Sequence, residues 1–135
     1  MADELALTID HVTLSVADVA RAKAFYGTAL AAIGLELVAD WPADMTGRPH
    51  TLAFGIGRKG HLWIAQTGQQ TPATHICFRV ASRAAVRAFH TAALAAGGID
   101  NGAPGIRANY HPEYYAAFVT DPEGHNIEAL TFAPE

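Results

Sequence analysis

The 135 residues are half apolar, enough to bury a substantial core, and no stretch is low in complexity. A formal charge of −4, carried by scattered side chains with no basic stripe, argues against nucleic acid or an anionic membrane as a partner. No apolar run approaches the roughly 18 residues of a membrane span, the N-terminus opens acidic at Asp3-Glu4 without a signal-like segment, and the single Cys77 excludes an internal disulfide, so a cytoplasmic location is expected.

Residues 7 to 16 alternate as a strand, with His11, Thr13 and Ser15 on one face and Val12, Leu14 and Val16 on the other. Asp18 is placed to N-cap a helix on which Val19, Ala22, Phe25 or Tyr26, Ala29 and Ile33 recur at helical spacing, and Gly34 stands where a left-handed C-cap is wanted. Short strands follow around Leu35 to Val38, Thr51 to Ile56 and His61 to Gln66, with Trp41 to Pro49 a loop and Gly57 and Gly60 in the last turn. In the second half His75, Cys77 and Arg79 share one strand face and Ile76, Phe78 and Val80 the other; Ser82 caps a helix carrying Val86, Phe89, Ala93 and Ala96. Asn101 to Pro112 reads as mostly loop, before strands from about Tyr114 to Thr120 and Asn126 to Phe132 that flank the turn at Asp121 to Gly124.

The order repeats. An offset of 64 residues carries His11 onto His75, Val16 onto Val80, Phe25 onto Phe89 and Gly34 onto Gly98 without a gap, and the same offset puts Ala53-Phe54 on Ala117-Phe118 and Gly60-His61 on Gly124-His125. Such a period, present twice, is too long for a solenoid unit. The chain therefore reads as one α+β domain over 1–135, built from two tandem βαβββ modules, about 5–68 and about 72–133, that form a pseudo-symmetric open cup.

Strand parity identifies candidate chemistry. The apolar face of each first strand takes the helix, which turns His11 and His75 toward the concave side, and the same parity puts Ile127 and Ala129 toward a helix with Asn126 and Glu128 in the cup. A lone strand histidine is more often a structural residue. Two of them related by the repeat, with a carboxylate on a partner strand, make the donor set of a borderline divalent ion with positions open for water or substrate.

The segments Asp-His-Val-Thr-Leu-Ser-Val at 10 to 16 with the following Phe25-Tyr26, Thr-His-Ile at 74 to 76, and Asp-Pro-Glu-Gly-His-Asn-Ile-Glu at 121 to 128 resemble the vicinal oxygen chelate superfamily, which includes glyoxalase I, extradiol dioxygenases, fosfomycin-resistance thiol transferases and bleomycin-binding proteins. The resemblance covers nearly the whole chain. It implies a metal held by His11, His75 and Glu128, with Zn, Mn, Ni or Fe(II) as candidate ions, and a small-molecule substrate that chelates through neighbouring oxygens. It also implies a homodimer. At the fourth corner the 64-residue repeat places Ile64, which cannot bind metal where glyoxalase I has a carboxylate, and Phe118 stands where the dioxygenase and fosfomycin branches commonly have a tyrosine.

Among the other polar residues, Glu128 and Tyr114 are the candidate acid–base pair, Tyr114 sharing the strand parity of Phe118 and Tyr115 pointing the other way into packing. Thr13, Arg79, His111 and Phe118 are candidate substrate contacts, His50 lies near the presumed rim, and Cys77 shares the face of His75 but is expected to be a small core residue. His61 and His125 follow turn glycines, which suggests turn geometry. The expected function is a metal-dependent lyase, isomerase or dioxygenase in which the ion acts as a Lewis acid. The alternatives are a fosfomycin-type thiol transferase and a metal-free binding protein holding its ligand with Trp41, Trp63, Tyr114 and Phe118.

Overall fold

A computed structural model describes residues 9–135; the start of the first expected strand at residue 7, the first module boundary near residue 5 and the Asp3-Glu4 pair lie outside them. The first module comprises β1 (Val12–Val16), α1 (Val19–Ala29), β2 (Glu36–Trp41), a single helical turn α2 (Ala43–Thr46), β3 (Thr51–Ile56) and β4 (Lys59–Gln66). The second comprises β5 (His75–Arg79), α3 (Arg83–Ala95), β6 (Ile99–Ile106), β7 (Tyr115–Thr120) and β8 (Asn126–Thr131). Each module forms its own four-stranded sheet, ordered β1-β4-β3-β2 and β5-β8-β7-β6. The helix carries the chain from the first strand to the far edge, and an antiparallel meander returns it, so that only the first and last strands of each module run parallel.

Both helices start at caps legible in the sequence. Asp18 Oδ1 accepts the Arg21 N–H at 3.0 Å and Ser82 Oγ accepts the Ala85 N–H at 3.1 Å, each satisfying an amide that the first helical turn leaves unpaired. Gly34, at φ 91°, supplies the left-handed stop after a short 3₁₀ turn at Ala31–Ile33. One apolar core serves both modules. Leu14, Phe25, Leu30, Phe54 and Ile64 from the first join Val86, Phe89, Val119, Ile127 and Ala129 from the second. Gly98 permits the close approach, because a Cβ there would collide with Val119 Cγ1 and stand 2.8 Å from Phe25 Cε1. Polar links reinforce the junction: Tyr26 donates from its buried hydroxyl to Asp121, and the Glu123 carboxylate accepts the N–H groups of Ala17 at 2.9 Å and Asp18 at 3.0 Å.

Three expectations are corrected. The first half of the stretch from Asn101 to Pro112 read as loop belongs to strand β6, an edge strand that tolerates Pro104 and is interrupted by register shifts around Gly102 and Gly105. Part of the Trp41 to Pro49 loop is the α2 turn, and β2 runs on to Trp41. The ungapped repeat holds for β1 against β5 but not for the later strands. Thr13 pairs with Trp63, whereas its counterpart Cys77 pairs with Glu128, and Ala53 and Phe118 are the respective partners of Trp63 and Glu128 across the neighbouring strand. The second module therefore holds one extra residue before β7, and Ala53 and Trp63, not Phe54 and Ile64, correspond to Phe118 and Glu128.

Burial agrees with this shift: Ile64 and its true counterpart Ala129 both sit in the core at 0 % exposure. His61 and His125 accordingly do not share one turn geometry. His61 is exposed, while His125 is fully buried and accepts the Thr74 N–H on Nδ1 at 3.2 Å.

Candidate functional site

The second sheet carries a constructed polar centre. His75 opens β5, and Glu128 lies on the adjacent β8, two residues beyond Asn126, the position opposite His75, and so on the same face of the sheet. The Glu128 side chain is buried at 1 % exposure, and its two oxygens are separately engaged. Oε1 lies 2.7 Å from His75 Nε2, and Oε2 accepts the Tyr114 hydroxyl at 2.5 Å. Burial, reinforced by the hydrogen bond to Glu128 and its charge, raises the Tyr114 hydroxyl above its ordinary pKa, so this phenol stays protonated at neutral pH and remains a donor. Cys77, opposite Glu128 in register, is exposed instead of buried in the core, and desolvation together with the Glu128 charge pushes its thiol up to about 12. It is therefore a weak nucleophile at neutral pH.

Tyr114 reaches Glu128 because the segment before β7 folds back on itself. Arg107 donates its N–H to the Tyr114 carbonyl at 2.7 Å, and Tyr114 donates its own to the His111 carbonyl at 3.1 Å. Phe132 abuts the Tyr114 ring edge-to-face at 5.6 Å, while Tyr110 lies 5.1 Å from it. The result is a cavity of about 370 Å³ lined by His75, Tyr110, Tyr114, Phe118 and Glu128. Tyr110 is the wall residue that strand parity missed, since it precedes the strand and is placed by the turn. Tyr115 points away, packing under the Arg83 guanidinium 4.9 Å from its ring.

The remaining candidates are held elsewhere. Arg79 stacks its guanidinium 4.9 Å from the Phe132 ring, and His111 packs against the same ring at 5.2 Å while Nδ1 accepts the Glu113 N–H. Thr13 is exposed on β1. His50 pairs with Asp40 at 2.6 Å. His11 sits at the start of the first sheet with its side chain 50 % exposed, Nδ1 2.6 Å from Asp10 Oδ1 and its ring 6.3 Å from Trp63. Lys59 also reaches Asp10, and the ammonium together with His11 holds that carboxyl down at about 2.

Imidazole and carboxylate are the right donors for a borderline divalent ion, and His75 and Glu128 are close enough to share one. Two donors are too few. Among the described residues no three His, Cys, Asp or Glu side chains converge, and the two partners described for His11, Asp10 and Trp63, belong to the first module. The expected triad is thus divided between the two sheets of one chain: His75 and Glu128 line the second-module cavity, and His11 lies beside the first sheet.

Comparison with known proteins fits this architecture. The family model described as the glyoxalase/bleomycin resistance protein/dioxygenase superfamily matches residues 8–129. A glyoxalase/bleomycin resistance protein from Albidiferax ferrireducens T118 is 27% identical, with a TM-score of 0.72 over 90% of this chain and 96% of that one. A lactoylglutathione lyase from Agrobacterium tumefaciens is 21% identical, with a TM-score of 0.66 over 93% of each chain, and shows likeness of fold alone. The same holds for glyoxalase I from Zea mays, 16% identical with a TM-score of 0.70, where this chain covers 90% of its own length and 43% of the larger protein. No curated protein matches the chain. No helix among the described residues is long and apolar enough to cross a membrane.

Proposed function

The chain belongs to the glyoxalase/bleomycin resistance protein/dioxygenase superfamily, and from that membership we propose that it is a divalent-metal-dependent enzyme whose site is completed when two copies pair. The observation that carries this reading is Glu128: a fully buried carboxylate, held by Tyr114 and His75, at the wall of an open cavity. Burying a carboxylate in an apolar surround costs several kcal/mol unless it is paired. A neutral phenol and a half-exposed histidine are a poor match for that cost, and a cation shared with His75 is a good one.

In a two-fold dimer the first-module face of one copy covers the second-module cavity of the other, so that His75 and Glu128 of one chain meet His11 of the partner subunit. The same pairing covers sheet edges that each copy otherwise leaves open. A divalent ion bound there supplies a Lewis acid for two neighbouring oxygens of a small substrate. The protein's own part is positional. Tyr114 fixes the orientation of the Glu128 carboxylate and holds a proton at its hydroxyl, 2.5 Å from Oε2, where it is available to a substrate oxygen. Phe118, with no hydroxyl, contributes an apolar wall, so the tyrosine absent from that position is replaced by Tyr114 from the strand entrance. This donor set suits proton-transfer chemistry of the isomerase or lyase type.

Metal analysis of protein purified without chelator or affinity tag tests the reading. One divalent ion per chain, lost in Glu128→Ala, is the expected result. A metal-free protein that takes up no ion on titration would favour the binding-protein alternative.

A further inference from the structure

The corner of the first sheet that corresponds to Glu128 carries an indole. Trp63 stands opposite Thr13 as Glu128 stands opposite Cys77, and small residues beneath it make the exchange possible. Its cross-strand partner is Ala53, in the place of the bulky Phe118. A Cβ at Gly60 would fall 2.9 Å from Trp63 Cε2 and Nε1, so the indole rests directly on that glycine. Trp41, from the end of β2, adds a second indole with its centroid 5.4 Å away and the planes 49° apart, and Trp41 is 46 % exposed. The His11 ring lies edge-on to Trp63, 6.3 Å away.

Two adjacent indoles on the histidine-bearing face, Trp63 half-buried and Trp41 exposed, are suited either to a flat ring or to a cation. The surrounding charge decides between them. Asp10 is engaged by Lys59 and His11, and Asp40 by Lys23 at 2.7 Å and His50 at 2.6 Å, so neither carboxylate is left to draw a cation toward the indoles.

We propose that Trp63 and Trp41 form a stacking platform for a planar aromatic group, and that the substrate is an aromatic compound with an oxygen-chelating end, not a short aliphatic one. This inference rests on the shared-site reading above, in which the platform of one copy faces the His75–Glu128 cavity of the other. In that arrangement His75, Glu128 and the ion they would hold would receive the chelating end of the ligand, and the platform would select the aromatic end.

Mandelate and lactate test it, because they share a 2-hydroxycarboxylate and differ by phenyl against methyl. In the Mn²⁺-loaded protein, mandelate binds about tenfold tighter than lactate, the scale of one good aromatic contact. Trp63→Ala abolishes the preference, so that the two acids bind alike, and Trp63→Phe retains part of it. The chain has two tryptophans, so in Trp41→Phe the emission comes from Trp63 alone, and mandelate quenches it while lactate does not. A phenyl preference that survives Trp63→Ala in a folded protein overturns the proposal, as does equal binding of the two acids. Repeating each titration with EDTA separates the two layers. Mn²⁺-dependent binding without phenyl preference refutes the platform and leaves the metal site standing; Trp63-dependent mandelate binding unaffected by EDTA does the reverse. Binding of neither acid in any condition counts against both.

Discussion

Trp63 and Glu128 occupy equivalent positions in the two sheets, one opposite Thr13 on β4 and the other opposite Cys77 on β8. On the proposed metal site the vacant corner would therefore lie at Trp63, whereas Ile64, one residue on, belongs to the core. Trp63→Glu is expected to tighten divalent-metal binding about tenfold or more by adding a donor to the three of the proposed shared site. Ile64→Glu should bind no tighter and should instead lose about 3–5 kcal/mol of stability, since it buries an unpaired carboxylate among apolar side chains. Metal titration of the first variant and urea unfolding of the second check the pair. A stable, tighter-binding Ile64→Glu protein would contradict the assignment.

Tyr114 is expected to tune the site without ligating the ion. Its hydroxyl lies 2.5 Å from Glu128 Oε2, so Tyr114→Phe should weaken metal affinity about tenfold, the lower end of what partners of a ligand contribute. Tyr110→Phe, which removes a hydroxyl that is not hydrogen-bonded to Glu128, should leave affinity unchanged. Calorimetric titration of the two variants side by side distinguishes them.

The module junction should be sensitive to small changes far from the cavity. Tyr26→Phe leaves buried Asp121 without its hydroxyl donor and should cost about 1–3 kcal/mol. Gly98→Ala forces a methyl group against Val119 and Phe25 and should cost about 1–3 kcal/mol by overpacking. Urea midpoints measure both, with the slope unchanged if the modules unfold together.

Much of this was legible in residue order, and the failures have physical causes. Period-two alternation placed His75 and Glu128 on one face and Ile127 and Ala129 in the core, and both helix caps were readable from Asp18 and Ser82. The corner at Ile64 was misplaced because an ungapped alignment of the halves hides a single extra residue, and a one-residue slip turns every side chain to the other face. β6 was hidden by Gly102, Pro104 and Gly105, which an edge strand accommodates at bulges. The separation of His11 from His75 could not be read at all. Parity assigns a side chain to a face of its sheet, whereas the packing of α1 and α3 into one core decides which faces meet.

The central claim is that each site draws His11 from one copy and His75 with Glu128 from the other. His11→Ala, His75→Ala and Glu128→Ala should each fold and each lose stoichiometric metal, because two remaining donors hold a borderline ion poorly. The decisive measurement is metal content after His11→Ala and Glu128→Ala proteins are mixed and allowed to exchange subunits. With random exchange, half the dimers are mixed and each carries one intact site, so binding should return to about one quarter of the wild-type stoichiometry. No recovery after demonstrated exchange, or full metal binding by a monomer, would contradict the shared site.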